Sequence, residues 1–235
     1  MAAEPGGQQV ERRGRVSRRA LLTGGTAVAL GGLGYGFRED LRGLWYRVPG
    51  NAVPRTEGEV DFAEAEWLAA SEANWRLASR PHDFTIDRVV VHVIQGSHAT
   101  ALKVFQDPGH RAATHYVVRT SDGRVTQMVR ELDVAYHAGN RAYNERSVGI
   151  EHEGFVDRPG DFTDAMYRAS ARLTADICDR YSLPRDRTHI VGHNEVPGAD
   201  HTDPGPHWDW ERYLRMVRDA RPVPQPSGGG ATPSG

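Results

Sequence analysis

The sequence predicts an α/β fold: one domain with a central mixed β-sheet flanked by helices. Three observations carry that expectation. "DRVVVHVIQ" (87–95) is a continuous apolar, β-branched run bounded by polar residues, the pattern of a strand buried on both faces. "THYVVRTSDGRVTQMVR" (114–130) alternates on either side of Ser121-Asp122-Gly123, which reads as a hairpin. Met166, Ala169, Leu173, Ile177 and Tyr181 recur at helical spacing within 163–182.

The remaining elements follow in chain order. "DFAEAEWLAASEANWRLAS" (61–79) suits a helix or an extended arm, and its pattern does not decide between them. "HATALKVFQDP" (98–108) predicts a helix stopped by Pro108. "RSVGIEHEGFV" (146–156) predicts a strand, with Glu151 and Glu153 on one side of it. Thr163 is the expected start of the 163–182 helix. "RTHIVGH" (187–193) predicts a short last strand and "HWDWERYLRMVRDA" (207–220) a closing helix, with Asp209 favouring its first turn. Strands, hairpin and helices are mixed along the chain, which favours a mixed sheet.

The ends differ from this body. Five arginines lie within residues 10–37, followed by an uncharged Gly/Ala/Leu-rich run from Ala20 to Phe37. That is a basic region followed by a mildly apolar one. Ser17-Arg18-Arg19-Ala20-Leu21-Leu22 resembles a twin-arginine export signal, so residues 1–37 are expected to be a signal or a retained anchor. Residues 38–84 are expected to form a linker and N-terminal arm, and residues 220–235 a disordered Pro/Gly/Ser tail. The folded part is then roughly 61–219.

Composition excludes several functions. The formal net charge is −2, giving no electrostatic case for nucleic acid. No stretch is long and apolar enough for a membrane span, so membrane contact is expected only through the N-terminal segment. One cysteine, Cys178, permits no internal disulfide, and its mid-helix place suits a packed small hydrophobe. The sequence has no Gly-x-Ser-x-Gly elbow, phosphate loop or His-Glu-x-x-His helix. Oligomeric state is not readable.

Histidines in unusual places remain. His92 sits among valines, and a buried imidazole needs a carboxylate, a backbone carbonyl or a metal as partner. His193 ends the last strand, and Asp203 follows ten residues later, after a loop rich in proline and glycine. Two imidazoles and a carboxylate form a three-ligand set suited to Zn2+, with one position left open. By spacing alone, ordinary buried histidines remain the leading reading.

"RVVVHVIQGS", "ATHYVV", "YHAGN", "SVGIEHEG" and "GHNEVPGADHTDPGPHWDW" occur in that order. Over residues 85–219 the set resembles the type-2 N-acetylmuramoyl-L-alanine amidases, the zinc amidase domain shared with phage lysozyme-type amidases and peptidoglycan recognition proteins. The resemblance implies zinc in a groove on one face, held by His92, His193 and Asp203. It implies hydrolysis of the amide joining N-acetylmuramic acid to L-alanine, in peptidoglycan or its fragments, by an exported protein. It implies that Glu151 is the general base, with Glu153 as the alternate. His201 stands where relatives often have lysine, and is expected to stabilise the developing oxyanion. Thr114 stands where some relatives have tyrosine, with Tyr116 two residues on, so neither is given a catalytic role. His137 is expected to shape the groove or touch substrate, and His115, His189 and His207 to be structural. Three alternatives remain open: a recognition module that cleaves nothing, an unrelated secreted zinc peptidase, and a structural zinc domain with His201 as a fourth ligand.

Overall fold

In the computed structural model, residues 44–48, 51, 53–54 and 56–221 are described. The expected signal or anchor (1–37) and nearly all of the expected tail lie outside them. No helix of the described residues is long and apolar enough to cross a membrane.

Among the described residues eight strands form two sheets: β1 (Ala65–Trp67), β2 (Trp75–Arg76), β3 (Arg88–Val93), β4 (Tyr116–Val118), β5 (Val125–Gln127), β6 (Val134–Ala135), β7 (Ser147–His152) and β8 (Ile190–Gly192). The main sheet runs β1-β5-β4-β7-β3-β8, and β2 pairs with β6 in a small ribbon. Only β4–β5 is antiparallel in the main sheet; β1–β5, β4–β7, β7–β3 and β3–β8 are parallel. The sheet is therefore mixed, as the sequence predicts.

Four helices flank it: α1 (His98–Gln106), α2 (Arg141–Arg146), α3 (Asp164–Tyr181) and α4 (Trp210–Asp219). Their starts follow local chemistry. Ser97 Oγ accepts from Thr100 N, Thr163 Oγ1 from Met166 N, and Asp209 Oδ1 from Arg212 N. Gly123 closes the β4–β5 hairpin at φ +74°, where a Cβ would lie 2.6 Å from the Ala165 carbonyl oxygen.

Alternation along β3 divides the molecule. Val89, Val91 and Val93 join Val148 and Ile150 of β7 in the main core, under α3 and α4. Met166, Leu173 and Ile177 of α3 and Tyr213 and Val217 of α4 complete it. Cys178 is buried in the same core, and burial pushes its thiol up to about 12. Val90 faces the other way, against Ala138 and Val196. His92 shares that second face.

Three elements were not resolved by the sequence pattern. The stretch 61–79 is extended where it is regular: β1 lies parallel on β5, and β2 follows a 3-10 turn over Glu72–Asn74. The folded body thus includes part of what the 38–84 boundary assigns to an arm. Phe62, fully buried, and Asp61, bonded to Gln127 and Arg130, fasten this stretch. The two-residue β6 and the six-residue α2 are too short to show a period.

Candidate metal centre

The C-terminal end of β3, the turn after β8 and the loop before α4 meet on the second face. β3 and β7 are parallel and in register, so His92 lies directly beside Glu151. His193 begins a 3-10 turn that immediately follows β8. The loop returns because Asn194 N donates to the Asp203 carbonyl at 2.9 Å. Val93 N donates to Asp203 Oδ2 at 3.2 Å and fixes the carboxylate.

His92 Nδ1 lies 3.5 Å from Asp203 Oδ2, and His193 Nδ1 lies 3.1 Å from Asp203 Oδ1. One donor atom from each of the three residues falls within 4.8 Å of the others, and all three residues are buried. Zinc bonds of about 2.0–2.1 Å at tetrahedral angles put neighbouring donors roughly 3.3 Å apart. The spacing therefore fits one small divalent ion, and the two-imidazole, one-carboxylate set suits zinc. His193 Nε2 is buried without a hydrogen-bond partner, so Nδ1 is the ring atom with polar company.

Electrostatics reflect burial. Desolvation lowers His92 to about 4, against the pull of Asp203. Burial works against ionisation of Asp203, but its hydrogen bond with His193 and the nearness of the His92 ring outweigh it and hold the carboxyl far below its usual range. Glu151 is shifted well upward, first by burial and then by the charge of Asp203. Its Oε1 is buried with no partner. A carboxyl lining a cavity in this condition holds a proton readily and becomes a strong base once ionised.

His92, Glu151, His193, His201 and Asp203 all line one cavity of about 520 Å³. His201 sits at its rim with its side chain 56% exposed, stacked on His193 at 4.1 Å between ring centroids. It is not part of the convergent donor set.

Other expectations are placed elsewhere. Glu153, the alternate base, accepts from His98 N and Thr120 N and ties two loops together, so it is occupied away from the cavity. Tyr116 turns to the core and donates to Glu131 at 2.5 Å. His115 is buried, 2.7 Å from the Arg80 guanidinium, and takes the Gly149 N–H. His152 bonds the His92 carbonyl and Ser170 on the opposite face. Glu195 accepts from Gly192 N and from Arg187, holding the turn after β8.

The sequence pattern underestimates His137. Its Nδ1 lies 2.9 Å from His92 Nε2, and its Nε2 lies 3.1 Å from Ser147 Oγ. "YHAGN" marks the residue as unusual, but its partners come from β3 and β7, which spacing does not reveal.

Known proteins resemble this chain in sequence and in fold. A family model described as N-acetylmuramoyl-L-alanine amidase matches residues 82–206. The chain is 35% identical over 191 residues to N-acetylmuramoyl-L-alanine amidase A of Achromobacter lyticus, covering 74% of this chain and 99% of that protein. It is 38% identical over 115 residues to 1,6-anhydro-N-acetylmuramyl-L-alanine amidase AmpD of Haemophilus influenzae, covering 46% and 60%. Among solved structures, a selenomethionine AmpD derivative matches with a TM-score of 0.55 at 27% identity, covering 70% of this chain and 99% of that one.

Proposed function

The chain belongs to the N-acetylmuramoyl-L-alanine amidase family, and from that membership we propose that it hydrolyses the amide between N-acetylmuramic acid and the L-alanine of the stem peptide, using Zn2+ held by His92, His193 and Asp203. The observation that carries the reading is the convergence of these three buried donors beside the unpartnered carboxyl of Glu151. Zinc at this point supplies Lewis acidity, which acidifies water and polarises a scissile carbonyl.

The chain's own residues do the rest. Glu151 takes the proton of the attacking water and returns it to the departing alanine nitrogen, a shuttle suited to a carboxyl with a raised pKa. His201, exposed at the rim and stacked on His193, donates a hydrogen bond to the oxygen on which charge develops. Val93 N holds the Asp203 carboxylate, and the main-chain bond between Asn194 and Asp203 closes the loop beneath the reacting centre.

A recognition module of the same fold needs no complete donor set, and here the set is complete. A structural zinc site needs a fourth protein donor, and the convergent group among the described residues has three. The test is digestion of purified peptidoglycan and of soluble anhydro-muropeptides. Metal-loaded protein should free peptides with a new L-alanine amino terminus; chelation should stop this, and zinc should restore it. A fully metallated sample that frees none defeats the reading. Preference between the two substrates decides between wall and fragment hydrolysis. The Ser17–Leu22 stretch supports export by the twin-arginine route. Lys-Lys in place of Arg18-Arg19 should strand the protein inside the cell.

A further inference from the structure

His137 is buried and 7% exposed, and both its ring nitrogens are engaged. It therefore has no free polar atom with which to recognise a substrate. What it touches is His92 on one side and Ser147 on the other, and Ser147 Oγ also lies 2.5 Å from the Tyr143 carbonyl.

Proton counting gives this chain one direction. A carbonyl oxygen only accepts, so at 2.5 Å the single hydroxyl proton of Ser147 lies between Oγ and Tyr143 O. Ser147 Oγ must then accept from His137, which puts the His137 proton on Nε2. His137 Nδ1 carries a lone pair and must accept from His92, which puts the His92 proton on Nε2. The remaining lone pair of His92 is on Nδ1, the atom that faces Asp203 at 3.5 Å. The reverse order would set the lone pairs of Ser147 Oγ and Tyr143 O together at 2.5 Å, a far closer clash than that of His92 Nδ1 with Asp203 Oδ2 at 3.5 Å, where a metal ion would sit.

The geometry points to His137 as a positioning residue: a one-way relay from His92 through His137 and Ser147 to the Tyr143 carbonyl fixes the tautomer in which His92 Nδ1 is ready to bind the metal. Independent features hold the relay. Asn144 Oδ1 accepts from His137 N at 3.0 Å and from Ala138 N at 2.8 Å. Gly149 of β7 leaves room for the ring, since a Cβ there would lie 2.6 Å from His137 Cγ and 2.7 Å from Nδ1. The imidazole lies edge-on to His92, with ring planes 86° apart. Partners of this kind orient a metal-bound imidazole and raise its basicity.

The inference rests on the zinc reading of this site, and the experiment separates the two. Metal-free full-length protein carrying 15N-histidine is examined by long-range 1H–15N spectra near pH 7.5. His92 and His137 should both carry their proton on Nε2. A His92 with its proton on Nδ1 overturns the relay whether or not zinc binds. Zinc affinity is then measured by chelator competition in the wild type, His137→Leu, His137→Asn and Ser147→Ala. His137→Leu should weaken zinc roughly 10–100-fold. His137→Asn, whose side-chain oxygen can accept in place of Nδ1, should recover most of that loss. Ser147→Ala should lose less than His137→Leu and give mixed His92 tautomers. It decides the matter if His137→Leu does not fold. Equal weakening by Leu and Asn, or no weakening by any variant, overturns the proposal. A wild type that binds no zinc removes the metal reading, and the spectra still decide the relay.

Discussion

Glu151 and His92 differ in kind but share a cause: each is buried on the second face of the sheet, one as a carboxyl and one as an imidazole. Burial leaves Glu151 with a raised pKa and an unpartnered oxygen, which is costly unless a proton or a substrate completes it. Replacing it with Gln keeps the shape and removes the base. Glu151→Gln should lower kcat for stem-peptide release by about 10²–10⁴-fold, with zinc affinity within a few-fold of wild type by chelator competition. A comparable loss of zinc would mean that Glu151 is a ligand rather than a base. The candidates His92, His193 and Asp203 were legible as polar residues in or beside apolar strands, though spacing left their convergence open, and Glu151 was legible only through the family resemblance. The different fates of Glu151 and Glu153 were not. Strand alternation puts both on one side, but β7 ends at His152, and beyond it Glu153 is captured by the backbone of Thr120 and His98.

At the scale of elements, the β3–β7 register sets the site. A shift by one residue would move His92 into the core and turn Val91 and Val93 out of it, so the apolar alternation that forms the core also aims the ligand. Gly149, paired with Val90, lies against the His137 ring on the site face. Gly149→Ala should cost about 1–3 kcal/mol, read from urea unfolding of metal-free protein, and should weaken zinc by displacing His137. Unchanged stability and affinity would show that the ring moves aside freely. β3, the hairpin, β7, α3 and α4 were legible because each has a clear period or turn. β1 was not: its Ala- and Glu-rich surroundings suit a helix as well as an extended arm, and pairing with β5 decides, since partner strands rather than intrinsic preference govern strand formation.

For the whole molecule, four buried histidines held neutral make acid the natural denaturant. Burial depresses His152 to about 3 and His92 to about 4, and places His115 and His137 well below the ordinary 6.5. The unfolded chain binds protons first as pH falls, so the native state binds fewer throughout this window. The contribution is intact above about 6.5 and is lost progressively toward 3, by up to about 1.4 kcal/mol per pH unit for each group. Denaturation midpoints of metal-free protein should therefore fall steadily between pH 7 and 4. A flat profile would mean that these rings are already charged in the fold. Domain class was legible at this scale, whereas the second sheet of β2 and β6 was not, because two-residue strands have no pattern of their own. One consequence concerns where the chain can be shortened. The family match begins at residue 82, but the chain is laced into the body from Asp61, through Phe62 in the core and main-chain bonds from Leu68 and Ala70 to Gln127 and Met128. Among the described residues ahead of Asp61 no strand joins the sheet, and the contacts there are side-chain ones such as Glu59 with Arg130. A truncation after Ala70 strips the outer edge of β5 and leaves a sticky seam, so the shortest durable form should begin near residue 60 rather than at the family boundary.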